Sequence, residues 1–185
     1  MDASEDTVHQ LKVVLQGTRP PVWRRFLIPS RATLEDLHVV LQRIMGWHNY
    51  HLHQFERDGV LYGTSDRGHG VRRVSETRTK LHQVLRQPKE QMTYEYDFGD
   101  SWVHTVTLEK ILPFEPDRDY PVITAGRRAC PPEDVGGVFG YAVMLQALAD
   151  PGHEDHEHFM EWVGEEYDPE AFDMRWLNAR MHGRR

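Results

Sequence analysis

Cysteine is almost absent: Cys130 stands alone in 185 residues. One thiol forms no internal disulfide and cannot build a multi-cysteine zinc site. Long hydrophobic runs are missing too. No apolar stretch approaches the ~20 residues of a membrane-spanning helix, and the opening MDASEDTVHQ is acidic where a secretory leader is basic. The expectation is a cytoplasmic protein with no membrane partner. Basic residues are absent from a third region: no lysine or arginine lies between Arg128 and Arg175, while twelve aspartates and glutamates do. Such a stretch repels a phosphate backbone. Internal repeats are lacking, and Ser65 to Gly70 has neither the strand–loop–helix setting nor the lysine of a phosphate loop.

What is present fits a folded domain. Apolar residues make up 39% and charged residues 28%, with five Trp, seven Tyr and seven Phe, too aromatic a mixture for disorder. The formal charge of −7 is uneven. Residues 1–92 carry 14 basic against 10 acidic residues, and residues 93–185 carry 8 against 19. Nucleic acid, if it binds at all, is left with the arginine-rich first half, Arg19 to Arg31 or Arg67 to Arg78. DNA binding through the acidic last third is not expected.

Periodicity gives the elements. Leu11, Val13 and Leu15 alternate with polar residues, and Val22 to Ile28 forms a second extended run, so two paired strands are expected. Thr33 to Asp36 has the form of a helix cap with an acidic third position, and Leu34, Leu37, Leu41, Ile44 and Met45 follow at helical spacing up to Gly46. Leu52 to Arg57 and Val60 to Tyr62 flank Asp58-Gly59 as a tight hairpin. A loop over 63–77, a short helix near Thr79 to Arg86, and a second hairpin of Met92 to Phe98 with Trp102 to Leu112 come next. Val122 to Thr124 reads as a short edge strand. Three helices end the chain: one to Ala149, one over His153 to Val163 with Phe159, Trp162 and Val163 inward, and one over Ala171 to Met181 with Phe172 and Trp176. The fold class is therefore α+β, a mixed and mainly antiparallel sheet packed with helices. One domain over 1–185 is expected, sheet-containing over 8–126 and helical over 127–181.

Three segments concentrate side chains that packing does not require: Gly46-Trp47-His48-Asn49-Tyr50-His51-Leu52-His53-Gln54-Phe55, Tyr94 to His104, and Cys130-Pro131-Pro132-Glu133-Asp134-Val135-Gly136-Gly137. With Pro21-Val22-Trp23-Arg24-Arg25, Leu37-His38, Gly140-Tyr141, Glu161-Trp162-Val163-Gly164 and Asp168-Pro169-Glu170, they make the chain resemble the plasmid pRiA4b ORF-3-like family over roughly residues 8–173. The resemblance implies a protein of plasmids, mobile elements and bacterial chromosomes with no established biochemical activity. Some members bear a transposon-resolvase label, but the acidic last third lacks the basic DNA-binding tail of a serine resolvase. A binding or adaptor module for a protein or nucleic acid partner is the first expectation.

The second is a metal-dependent, hydrolase-like enzyme. A strand over 94–98 puts Glu95 and Asp97 on one face and Tyr94, Tyr96 and Phe98 on the other, and the turn is expected to bring Asp100 near His104. Adding His51 and His53 from one strand face, and Glu133 and Asp134 from a proline-stiffened loop, gives an oxygen and nitrogen ligand set suited to Mn, Zn or Fe. Candidate catalytic residues are Asp97, Asp100, His104, Glu133 and Asp134, and candidate metal ligands are these five with His51 and His53. The bland account is that Asp97 and Asp100 cap their turn, His104 pairs with a carboxylate, and Glu133 and Asp134 cap the next helix. Tyr50, Trp47 and Trp102 are read as an aromatic wall or as core. His153, His156 and Glu157 share one helix face.

Overall fold

The computed structural model describes residues 7–64, 72–164 and 166–183. Eight strands form one sheet in the order β5-β4-β3-β6-β7-β1-β2-β8. In chain order they are β1 (Thr7–Leu15), β2 (Trp23–Pro29), β3 (His53–Arg57), β4 (Val60–Gly63), β5 (Val74–Ser75), β6 (Gln91–Tyr96), β7 (Trp102–Pro113) and β8 (Val122–Arg127). Every pairing is antiparallel except β4 with β5. The helices are α1 (Leu34–Met45), α2 (Leu81–Val84), α3 (Gly137–Ala149), α4 (His156–Val163) and α5 (Met174–Met181).

The period-2 pattern buries one face of the sheet. Leu11, Val13 and Leu15 of β1 meet Phe26 and Ile28 of β2, Tyr94 and Tyr96 of β6, and Trp102, Val106 and Leu108 of β7 in one core. Against that core lies α1, whose Leu34, Leu37, Leu41 and Ile44 are fully buried at helical spacing. Its start is a capping box: Thr33 Oγ1 accepts from Asp36 N–H, and the Asp36 carboxylate accepts from Thr33 N–H at 2.8 Å. A bulge between Gln10 and Leu11 breaks the β1–β7 register, so Val8 and His9 are both buried before strict alternation begins.

Asn178 of α5 covers the β8 edge by imitating a strand. Its amide oxygen accepts from Ile123 N–H at 2.8 Å and its amide nitrogen donates to Ile123 O at 3.0 Å. The helix thereby uses Leu177 and Met181 inward, leaving Trp176 exposed. Trp162 of α4 is also exposed, although Phe159 and Val163 pack against the core. Both helices are only two turns long and start three residues later than their apolar periodicity suggests, at His156 and Met174. No helix among the described residues is long and apolar enough to cross a membrane.

Candidate metal centre

Trp47 brings the three unusual segments together. Its ring is buried, stacks on Tyr96 at 5.1 Å and lies 5.9 Å from Trp102, while its Nε1 donates to Pro131 O at 2.9 Å. Trp47 and Trp102 are thus core; of the expected aromatic wall only Tyr50 faces solvent.

Backbone geometry then aims the carboxylates. Asp97 follows the last residue of β6 at φ 57°, a left-handed conformation that breaks the strand alternation. The break turns Asp97 to the buried side with Tyr96 and leaves Phe98 exposed, the reverse of the alternation expected for Phe98. Asp97 N–H donates to Leu52 O at 2.9 Å, tying the turn to the chain beside His51. Asn49, Ser101 and Asp134 are also left-handed. Each such non-glycine conformation costs on the order of 1 kcal/mol, and such residues cluster at functional sites. Gly137 packs on the Asp100 carbonyl and Gly140 on the Val135 carbonyl so closely that a Cβ at either position would collide with backbone. Asp100 completes the clamp by accepting the Gly136 N–H at 3.1 Å.

At the junction stand His51, Asp97 and Asp134. His51 Nε2 lies 3.2 Å from Asp134 Oδ1 and 3.6 Å from Asp97 Oδ2, and one ligand atom from each residue lies within 4.8 Å of the others. Two ligands each about 2.1 Å from a shared ion stand roughly 3–4 Å apart. His51 Nε2 is buried and has no hydrogen-bond partner among the described residues. Asp97 Oδ1 accepts from Gly99 N–H, so the residue caps its turn with one oxygen and turns the other to His51. The turn-cap account of Asp97 holds, and it leaves the second oxygen free to face His51.

The remaining candidates sit elsewhere. Glu133 is occupied: Tyr96 Oη donates to one oxygen at 2.6 Å, and His48 N–H and the His48 ring hold the other. Burial and this carboxylate together push the Tyr96 hydroxyl up, so it remains a donor. Asp100 is spent on Gly136, not on His104. His104 is fully buried on β7, with Nδ1 3.3 Å from Tyr94 O and Trp47 against its ring. The pleat puts it opposite Tyr94 on the core side, well away from the turn, and desolvation lowers it to about 4. His53 faces the core as well and binds Glu76 at 2.8 Å. Glu76 was invisible in the sequence because it lies at the end of a loop without apolar period. His153 and His156 are used locally, His153 Nδ1 accepting from Asp155 N–H and His156 Nδ1 lying 2.8 Å from Ala147 O. Cys130 is closed off by Arg24 and Met45, and burial pushes its thiol up. In the arginine-rich half Arg24 is buried and Arg25 is paired with Glu109, and Arg67 lies outside the described residues.

The model of the "Plasmid pRiA4b ORF-3-like protein" family matches residues 7–176. The chain belongs to that family. Among its relatives, the chain is 38% identical over 177 residues to "Uncharacterized protein y4hQ" of Sinorhizobium fredii, covering 95% of this chain and 91% of that protein. It is also similar to the crystal structure of "Protein of Unknown Function MM3350" from Methanosarcina mazei Go1, with a TM-score of 0.84 at 42% identity over 92% of this chain and 97% of that one. The pRiA4b ORF-3-like fold therefore extends across the sheet, α1 and the loops that carry His51, Asp97 and Asp134.

Proposed function

We propose that this protein holds a divalent transition metal between His51 Nε2, Asp97 Oδ2 and Asp134 Oδ1 and uses it for hydrolytic chemistry. One observation carries the reading: three ligand atoms from three separate segments converge within 4.8 Å. One imidazole and two carboxylates suit Zn, Mn or Fe, and do not favour Cu(I), which prefers soft thiolates. Three protein ligands leave positions for water, whose pKa such an ion lowers toward neutrality. Asp134, the most exposed of the three ligands, faces the solvent from which substrate arrives. Asp100 and the Glu133–Tyr96–His48 group are positioning residues: they fix the 133–136 loop relative to the β6–β7 turn.

The test is metal content by mass spectrometry on untagged protein dialysed without chelator, wild type beside His51→Ala/Asp97→Ala. About one equivalent in wild type and none in the variant is the expected result. Wild-type protein that is folded and takes up no Zn, Mn or Fe overturns the proposal. If metal is present, screening ester and amide substrates with and without chelator then tests hydrolysis.

A further inference from the structure

The surroundings of this site are apolar and acidic at once. Tyr50 and Leu52 flank His51 and are 77% and 64% exposed; Phe98 follows Asp97 and is 43% exposed; Phe139, five residues beyond Asp134 in the first turn of α3, is 81% exposed. Isolated exposed apolar side chains are ordinary, but here three adjoin His51 or Asp97 in the chain and the fourth lies in the first turn of the helix that follows the Asp134 loop, and grouping around one convergence point is what marks an interaction surface. The charge around them is one-sided. Residues 46–56, 91–109 and 129–174 contain no lysine or arginine. Among the described residues, the ion pairs of Asp97, Glu133 and Asp134 are with histidine alone. An ion would neutralise Asp97 and Asp134 but leave Glu133 with only His48 and Tyr96, and Asp100 with only the Gly136 N–H, as partners. Such a surface repels phosphates and attracts cations, and aromatic faces beside carboxylates fit lysine and arginine side chains.

We infer that the rim formed by Tyr50, Leu52, Phe98 and Phe139 docks a polypeptide segment in which lysine or arginine alternates with apolar residues, presenting its backbone to the site. The inference rests on the metal reading for the chemistry that follows docking; the docking itself needs only the rim and its charge. Complementarity of charge selects this occupant over a nucleic acid, which the same field repels.

Fluorescence anisotropy on untagged protein tests it, using a labelled peptide of alternating lysine and leucine, the same length of alternating glutamate and leucine, and labelled single-stranded DNA. The lysine–leucine peptide is expected to bind at least about tenfold more tightly than either other probe. Tyr50→Ser/Phe98→Ser is expected to weaken it by about tenfold or more with metal content unchanged, and Phe139→Ser serves as the independent second variant. Equal binding of the glutamate–leucine peptide, preference for DNA, or full binding by both rim variants overturns the inference. Metal content, read on the same samples, separates the two readings. Peptide preference without metal keeps the docking surface and removes the metal; metal without peptide preference does the reverse.

Discussion

Two histidines, two residues apart, meet carboxylates in opposite ways. His53 donates into a closed network: its ring stacks on His38 at 3.5 Å, and its Nε2 lies 2.8 Å from the buried Glu76. Around them His38 uses both ring nitrogens, on Tyr94 Oη at 2.8 Å and Asn49 Oδ1 at 2.9 Å, while Gln42 bridges Tyr94 and Asn49. With Asn49 accepting, His38 carries its proton on Nε2 and accepts a hydrogen bond from the Tyr94 hydroxyl at Nδ1. His51 has two carboxylates nearby and a ring nitrogen that hydrogen-bonds to neither. A satisfied polar network fixes a core. An unsatisfied one at the surface, held by strained backbone, has capacity left for a ligand. The two are also connected, since Asn49 closes the first network and begins the turn that carries His51.

The largest effects separate the two clusters. Asp97→Ala is expected to abolish metal uptake while the chain stays folded, checked by metal analysis and circular dichroism. Glu76→Ala should do the opposite, costing about 3–5 kcal/mol of stability by leaving a buried polar pair broken and leaving metal content intact, as measured by urea unfolding and the same metal assay. Glu76→Ala protein that loses its metal without losing stability would show the comparison to be drawn in the wrong place.

The core side also answers to acid. His104, His38 and His9 are lowered to about 4, each chiefly by desolvation, with His53 adding to the effect at His38 and His82 at His9. Their ordinary value is 6.5. Between these values the unfolded chain binds protons that the folded chain refuses, so stability is complete above pH 6.5 and falls as pH drops toward 4. Each histidine adds up to about 1.4 kcal/mol per pH unit to that slope. His104→Leu should remove about a third of the slope between pH 6.5 and 4.5, and an unchanged slope in urea titrations would show that His104 is not buried neutral.

A smaller effect tests the clamp on the open side. Gly140→Ala places a methyl group against the Val135 carbonyl, displacing the loop that presents Asp134. Metal affinity is expected to fall by about tenfold, the size of other outer-shell changes, with peptide docking on the rim less affected. Isothermal titration with Mn or Zn reads the change.

Much of this was legible in the sequence, and the failures have physical reasons. The α1 cap and both hairpins follow from local patterns, Thr33 with Asp36, Asp58-Gly59, and glycines and prolines where regular structure cannot form; the convergence of the three odd segments does not, because it depends on strand adjacency that no local pattern sets. His51, Asp97 and Asp134 were among the candidates because those segments held them. Distance along the chain from the turn does not place His104, because the pleat of β7 decides its side. Sequence does not separate His53 from His51, because its partner, Glu76, comes from the far end of a loop with no periodicity to place it. Phe98 defied the alternation because a left-handed residue precedes it, and no propensity identifies which aspartate will adopt that conformation.

The smallest effect lies at the opposite end of β3, where Glu90 meets a guanidinium instead of an imidazole. Arg57 holds it at 2.9 Å, and that hydrogen bond, with help from the Arg86 and Gln87 N–H groups, lowers Glu90 to about 2 from an ordinary 4.5. The favoured form is the charged one here and the neutral one at the buried histidines, yet both contributions are lost as pH falls. The folded state here favours the charged carboxylate, so its contribution is complete above about pH 4.5 and is lost as pH falls toward 2. Glu90→Gln should therefore cost about 1 kcal/mol at neutral pH, the scale of a partly exposed pair, and the gap from wild type should close only below pH 4.5. Because the histidine window opens at pH 6.5 and the Glu90 window only at about 4.5, a gap that closes between pH 6.5 and 4.5 would mean that Glu90 is coupled to the histidine network, and the closed cluster would then extend to this end of the strand.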